Sequence, residues 1–145
     1  MMQKVDKTIA FVCTGNTCRS PMAEGIFNCI AEDRDLPVRA ASFGMAAASG
    51  TPVSRNAVDA CAEIGVDISG ARAHFAFDYD PNQFERFYCM SEQHAMMLNQ
   101  CLNIPLEKIT VMNVSDPFGG DLEVYRRCRD EIYRFVSKVA DGYAD

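Results

Sequence analysis

Hydrophobic positions in this chain fall into short runs and helical stripes that alternate from one end to the other. Residues Thr8–Cys13, TIAFVC, are apolar, brief and ended by a Gly/Asn/Thr turn, which is the pattern of a buried strand. Met22, Ile26, Phe27 and Ile30 then recur at helical spacing and predict a helix from about Ser20 to Ala31. Pro21 suits its first turn, where a missing N–H is no loss. Val38–Ser42 reads as a second strand and Phe43–Pro52, rich in Gly, Ala and Ser, as a loop. A helix over Ser54–Ile64 is expected to close on Gly65 as its C-cap. Phe87–Met90 predicts a third strand. Ser91–Leu102 predicts a helix with Ala95, Met96, Met97 and Leu98 available to pack, and Ile109–Met112 a fourth strand. The longest helix is predicted over Leu122–Val139, with Leu122, Val124, Tyr125, Cys128, Ile132, Phe135, Val136 and Val139 on its apolar face and Asp121 as N-cap.

Strands alternating with helices imply right-handed crossovers and a mostly parallel sheet covered on both faces, an α/β fold. Ligands of such sheets bind beyond the carboxyl ends of the strands. The turn after the first strand and the loop Asn113–Asp121 after the fourth both lie at that end. A chain of 145 residues suits one domain spanning residues 1–145.

Composition narrows the function classes. The longest apolar runs, such as Ile9–Cys13, fall far short of the roughly 20 residues a spanning helix needs, so no membrane partner is expected. The start, MMQKVDK, is polar and unlike a signal peptide, which makes a cytoplasmic location the expectation. A net charge of −6 argues against a nucleic-acid binder, which needs a basic face. Seven cysteines, an odd number, fit reduced thiols rather than a disulfide framework.

The chemistry concentrates in Val12-Cys13-Thr14-Gly15-Asn16-Thr17-Cys18-Arg19-Ser20-Pro21. A cysteine and an arginine are separated by five residues and wrapped around a helix start. A loop of that length curls so that successive backbone N–H groups point inward and hold an anion. The helix N-terminus adds unpaired N–H groups and the positive end of its dipole. Gly15 and Asn16 are the residues best able to take left-handed conformations in the curl. Arg19 closes the ring with a two-pronged grip on phosphate oxygens. Cys13, with an ordinary pKa of about 8.5, is expected to be driven toward thiolate there, ready to attack phosphorus. Ser20 is placed to donate to that sulfur. Inorganic phosphate or a similar oxyanion is the expected ligand of the loop, through Thr14, Gly15, Asn16, Thr17, Cys18 and Ser20. A zinc site is not expected, because Cys13 and Cys18 have no second close Cys or His pair to complete the ligands. Nor does the loop carry the nucleotide-binding pattern G-x-x-x-x-G-K-[ST].

FVCTGNTCRSPMAE closely resembles the signature of the low-molecular-weight protein-tyrosine-phosphatase family, and the order of elements agrees over nearly the whole chain. The resemblance implies a four-stranded parallel sheet with helices on both faces, a phosphocysteine intermediate, and neither metal nor cofactor. Cys13, Asn16, Arg19 and Ser20 match the family motif position by position. It also assigns a second group. Cysteine-based phosphate chemistry needs a proton donor for the leaving group and then a base for water. Asp116, in Ser115-Asp116-Pro117-Phe118-Gly119-Gly120-Asp121, stands where the family carries its catalytic Asp-Pro. Cys18 reads either as a buried spacer or, as in the family, as a partner for a protective disulfide with Cys13. His74 and His94 read as surface or edge residues; the family often has a loop-supporting His near position 74. Met90, Met96 and Met97 read as core packing.

Family members act on phosphotyrosine or phosphoarginine in proteins, and a related branch reduces arsenate. Thr17 is small and polar where tyrosine-specific members more often carry a larger apolar residue. The segment Asp116–Gly120, DPFGG, holds one ring, Phe118, where those members often add aromatics. Both features resemble the bacterial protein-arginine-phosphatase branch. A guanidinium wants polar contacts and one stacking ring, whereas a phenyl group wants aromatic walls. Phosphotyrosine remains the alternative. Arsenate reduction is the remote one, because Cys61, Cys89, Cys101 and Cys128 are isolated rather than clustered as a relay.

Overall fold

A computed structural model describes residues 4–144. Four strands and four helices alternate: β1 Lys7–Cys13, α1 Arg19–Asp33, β2 Val38–Gly44, α2 Arg55–Ala62, β3 Arg86–Cys89, α3 Glu92–Leu102, β4 Ile109–Val111 and α4 Leu122–Asp141. The sheet order is β2-β1-β3-β4, and every pairing is parallel. The chain leaves β1 for the neighbour on one side and later returns to the other side. The carboxyl end of β1 is therefore a switch point, where the flanking connections part and leave a crevice.

Period-2 alternation along β1 divides the interior in two. Ile9, Phe11 and Cys13 face the larger core, shared with Met22, Ile26 and Phe27 of α1 and with Ile132 and Val136 of α4. Ala10 and Val12 face the smaller one, with Phe43, Phe87 and Leu98 of α3. Helices α1, α2 and α4 thus cover one face and α3 the other, as expected for a parallel sheet that must bury both sides.

Side-chain and left-handed caps set the helix limits. Ser54, Ser91 and Asp121 accept the N–H groups of Ala57, His94 and Val124 as N-caps. Left-handed Asn103 ends α3, its N–H returning to the Leu98 carbonyl. Helix α2 stops at Ala62, two residues short of the predicted end, and Gly65, at φ 79°, closes the turn that follows.

Three predictions need correction. Strand β2 runs on through Phe43 and Gly44, which were predicted as loop: Phe43 is buried in the smaller core and Gly44 still pairs with Cys13. Met96 faces solvent, 57% exposed, so only Met90 of the methionine group is fully buried. Val124 is exposed too, on the side of α4 turned away from the core. Among the described residues no helix is long and apolar enough to cross a membrane.

Candidate active site

The segment after β1 folds into a cup at the carboxyl edge of the sheet. Its cavity of about 220 Å³ is lined by every residue from Cys13 to Arg19, with Asp116 and Phe118 across the mouth. The curl turns on Asn16, at φ 55°; Gly15 does not take the positive φ that the sequence allowed it. Asn16 is buried and locked from four directions. Its backbone N–H lies 3.2 Å from Cys13 Sγ, and its side-chain amide donates to Ser20 Oγ at 2.7 Å and Ser42 Oγ at 2.9 Å. Its Oδ1 accepts the His74 backbone N–H at 2.7 Å. An asparagine here satisfies the left-handed backbone and holds the cup to two neighbouring segments at once.

Cys13 Sγ sits at the floor, 2.8 Å from Ser20 Oγ. Ser20 is fully buried beneath it and does not line the cavity, so it touches the sulfur rather than a ligand. Burial pushes the Cys13 thiol up from its ordinary value. The Ser20 hydroxyl and N–H, the Asn16 N–H and the Arg19 charge all pull the other way without overcoming it. The expected thiolate-favouring groups are therefore in place, but desolvation of so enclosed a sulfur outweighs them.

No side chain caps α1, which leaves its first N–H groups to the cup. Arg19 is 6% exposed; one guanidinium nitrogen donates to the Val114 carbonyl at 3.0 Å. The other reaches toward Asp116 Oδ2 at 3.7 Å. Asp116 is half-exposed at the mouth, and its Oδ1 accepts the Phe118 N–H at 3.0 Å in a tight turn. Phe118 itself is 78% exposed, a ring standing free at the rim. Thr17 is half-buried in the wall. Cys18 is more than a spacer: its Sγ lies 3.2 Å from the Tyr125 hydroxyl and 3.5 Å from Ser54 Oγ, tying the loop to α4 and α2. All seven cysteines are free; Cys61, Cys89 and Cys128 are buried and Cys101 is exposed.

Several participants were missed from sequence. Ser42 donates to Glu24 Oε1 at 2.7 Å while accepting from Asn16, and burial pushes the Glu24 carboxyl up. Gly44 packs against the loop so closely that a Cβ would collide with the Thr14 carbonyl and stand 2.9 Å from the Asn16 nitrogen. His94, expected at the surface or an edge, is 3% exposed, with Nε2 2.8 Å from Thr14 Oγ1. His74 supports the loop only through its backbone; its exposed ring pairs with Asp78 instead. No short motif marks these residues, because their partners are distant in sequence. Among the described residues no cluster of three or more His, Cys, Asp or Glu is arranged to hold a metal ion.

A buried cysteine and arginine cradled between a strand and a helix start, faced by a carboxylate, define a phosphate-handling site of the cysteine-phosphatase kind. The chain belongs to the low molecular weight phosphotyrosine protein phosphatase family, which it matches over residues 8–142. Protein-arginine-phosphatase of Bacillus subtilis (strain 168) is 30% identical over 141 residues, covering 91% of this chain and 93% of that protein. The crystal structure of a low molecular weight protein tyrosine phosphatase from T. tengcongensis superposes with a TM-score of 0.90 at 34% identity, covering 94% and 99% of the two chains. A mutant YwlE arginine phosphatase with a phosphorylated active-site serine superposes at 0.88 with 29% identity, covering 93% and 94%. The protein is accordingly a protein phosphatase of this family.

Proposed function

We propose that this phosphatase hydrolyses phosphoarginine in proteins through a phosphocysteine intermediate. The observation that carries the reading is the placement of Cys13 Sγ at the floor of the cup, with Arg19 beside it and the Asp116 carboxylate 3.7 Å from that guanidinium at the mouth. In the first step the Cys13 thiol gives up its proton to solvent, the thiolate so formed attacks phosphorus in line, the bond from phosphorus to the substrate nitrogen breaks, and Asp116, protonated, gives that nitrogen its proton. In the second step Asp116 takes a proton from water, the water oxygen bonds phosphorus, and the S–P bond breaks. Ser20 donates to the departing sulfur, and inorganic phosphate leaves. Arg19 and the loop N–H groups carry the phosphoryl charge throughout. The step uses no metal or cofactor.

The preference for arginine rests on the wall. Thr17 offers a hydroxyl, and Phe118 is the single ring among the residues lining the cavity. That suits a planar cation better than a phenol wanting aromatic cover. The arginine phosphatases among the relatives support it. The phosphotyrosine alternative is favoured by the exposed Phe118 ring and by the tyrosine phosphatase that superposes at 34% identity. A cytoplasmic setting suits seven free thiols.

One peptide made in phosphoarginyl and phosphotyrosyl forms tests the reading, with release of phosphate as the measurement. Faster turnover of the phosphoarginyl form is expected, and preference for the other would sink the substrate assignment. Cys13→Ser should abolish turnover of both. Asp116→Asn should lower peptide turnover by about 10²–10⁴-fold. The loss should be smaller on an aryl phosphate whose leaving group is already a stable anion. An equal loss on both kinds of substrate would return Asp116 to the status of a turn residue.

A further inference from the structure

His94 makes more contacts than its place in the core requires. It stands in the first turn of α3, 3% exposed, where its backbone N–H is taken by the Ser91 cap at 3.4 Å. Ser91 Oγ also lies 2.9 Å from the ring Nδ1. The other ring nitrogen leaves the helix altogether and meets Thr14 Oγ1 at 2.8 Å, eighty positions away in sequence. Thr14 differs from the rest of the cup. Cys13, Asn16, Cys18, Arg19 and Ser20 are buried, whereas Thr14 is exposed and still lines the cavity. The buried residues that line the cavity, Cys13, Asn16, Cys18 and Arg19, make the floor, which the proposed function gives to the phosphoryl group. The exposed one stands at the rim, where the side chain bearing that phosphoryl group must pass.

We infer that His94 is a positioning residue for specificity: it fixes the Thr14 hydroxyl as a hydrogen-bond acceptor for the guanidinium N–H groups of a phosphoarginyl side chain. This deepens, and rests on, the arginine reading above. The positioning role requires the tautomer in which a neutral imidazole carries its proton on Nδ1 and donates to Ser91 Oγ, leaving Nε2 to accept the Thr14 O–H. The Thr14 hydrogen is then committed inward and its lone pairs face the mouth. A guanidinium has only donors to offer, so an acceptor at the rim is what it can use. A tyrosyl ring has no N–H and gains nothing from it. Two surroundings favour the neutral ring this needs: burial and the nearby Arg19 charge both lower the His94 pKa, against the opposing pull of Asp116.

The test compares the wild-type protein with Thr14→Val, His94→Leu, the double variant and His94→Gln. Thermal unfolding establishes that each is folded. Thr14→Val keeps the shape of the rim and removes only the hydroxyl, so it carries the test even where His94→Leu fails to fold. On the phosphoarginyl peptide, kcat/KM should fall about tenfold in Thr14→Val and in His94→Leu, the loss of one hydrogen bond to a charged group. The loss on the phosphotyrosyl peptide should be several-fold smaller than on the phosphoarginyl one, because the Thr14 backbone stays in the loop and only the hydroxyl is withdrawn. The double variant should lose no more than either single, because both remove one interaction. His94→Gln, whose amide oxygen can accept the Thr14 O–H, should recover most of the phosphoarginyl rate. Parallel losses on both peptides, additive losses, or a silent Thr14→Val would overturn the inference. Calorimetric binding of the phosphoarginyl peptide to a Cys13→Ala background separates this from the arginine reading. Binding that depends on Thr14 and His94 without wild-type turnover keeps the inference and sinks the reading. Turnover without that dependence does the reverse, and the absence of both binding and turnover sinks the two together.

Discussion

The chemistry of Cys13 is a contest between enclosure and hydrogen bonding. Burial raises its pKa, and the Ser20 side chain is the foremost group lowering it. Ser20→Ala leaves the enclosure and removes that contact, 2.8 Å long in the wild type. The thiol should then titrate at higher pH, so its alkylation by iodoacetamide at pH 7 should slow, with the whole rate profile displaced toward alkali. A profile that stays in place would mean that Ser20 does not act on the sulfur. Cys13 and Arg19 stand out in sequence because their five-residue spacing between a strand and a helix start carries the chemistry; Asp116, in a segment that alone reads as a turn, is reached only through the family resemblance, and the structure sets it at the same cavity. His94 does not stand out. A lone histidine at the start of a helix has no pattern around it, and what makes it part of the site is a contact across eighty positions. Gly15 shows the converse: the sequence permits a left-handed residue at two positions, and only the packing around Asn16 decides between them.

Elements were placed well where hydrophobic period and caps agree, as in α3 and α4, and less well where packing extends them. Strand β2 is the clearest case. Phe43 and Gly44 stand in a Gly/Ala/Ser-rich stretch that looks like a loop, yet the Gly44 N–H donates to the His74 carbonyl. The Met45 and Ala46 N–H groups beyond it donate to the carbonyls of Cys13 and Thr14. The end of β2 is thus a brace laid along the phosphate loop, and no side chain fits between them. In Gly44→Ala the new Cβ would meet backbone atoms of Thr14 and Asn16, which yield only if the loop moves. A displacement near 1 Å at a reacting centre costs about 10²-fold, and a loss of kcat/KM on that scale is expected, with the protein still folded. Steady-state kinetics beside a thermal melt decide it, and full activity in Gly44→Ala would show the brace to be dispensable.

At the scale of the molecule, titrating groups on separate elements set one stability profile. Glu63, following α2, is held at a pKa of about 2 by Arg126 and then Arg129, both on α4. Its carboxylate lies 2.7 Å from each of those guanidinium groups. A depressed carboxyl supports the fold above its unfolded value of 4.5 and loses that support as pH falls toward 2. His94 is also depressed, chiefly by burial, and a depressed imidazole favours the fold above 6.5 and costs stability as pH falls below it. The thiols act at the other end. Burial pushes Cys61, Cys89 and Cys128 up to about 12 from 9.0, so their contribution is complete below 9.0 and is lost as pH rises toward 12. Stability measured by urea unfolding under reducing conditions should therefore be flat between about 6.5 and 9 and fall on both sides. The acid limb should have two stages, one starting near pH 6.5 from His94 and one near 4.5 from Glu63, the first partly offset by Glu24, whose carboxyl is raised from 4.5 by burial and so adds stability as pH falls toward 4.5. His94→Gln should remove the first stage and leave the second. Glu63→Gln should lower stability at pH 7, and the gap from wild type should close as pH falls below 4.5 and the wild-type carboxylate takes up its proton. A gap that stays constant down to pH 2 would mean that the join between α2 and α4 owes nothing to the charge on Glu63, and that its loss in the variant is one of packing alone.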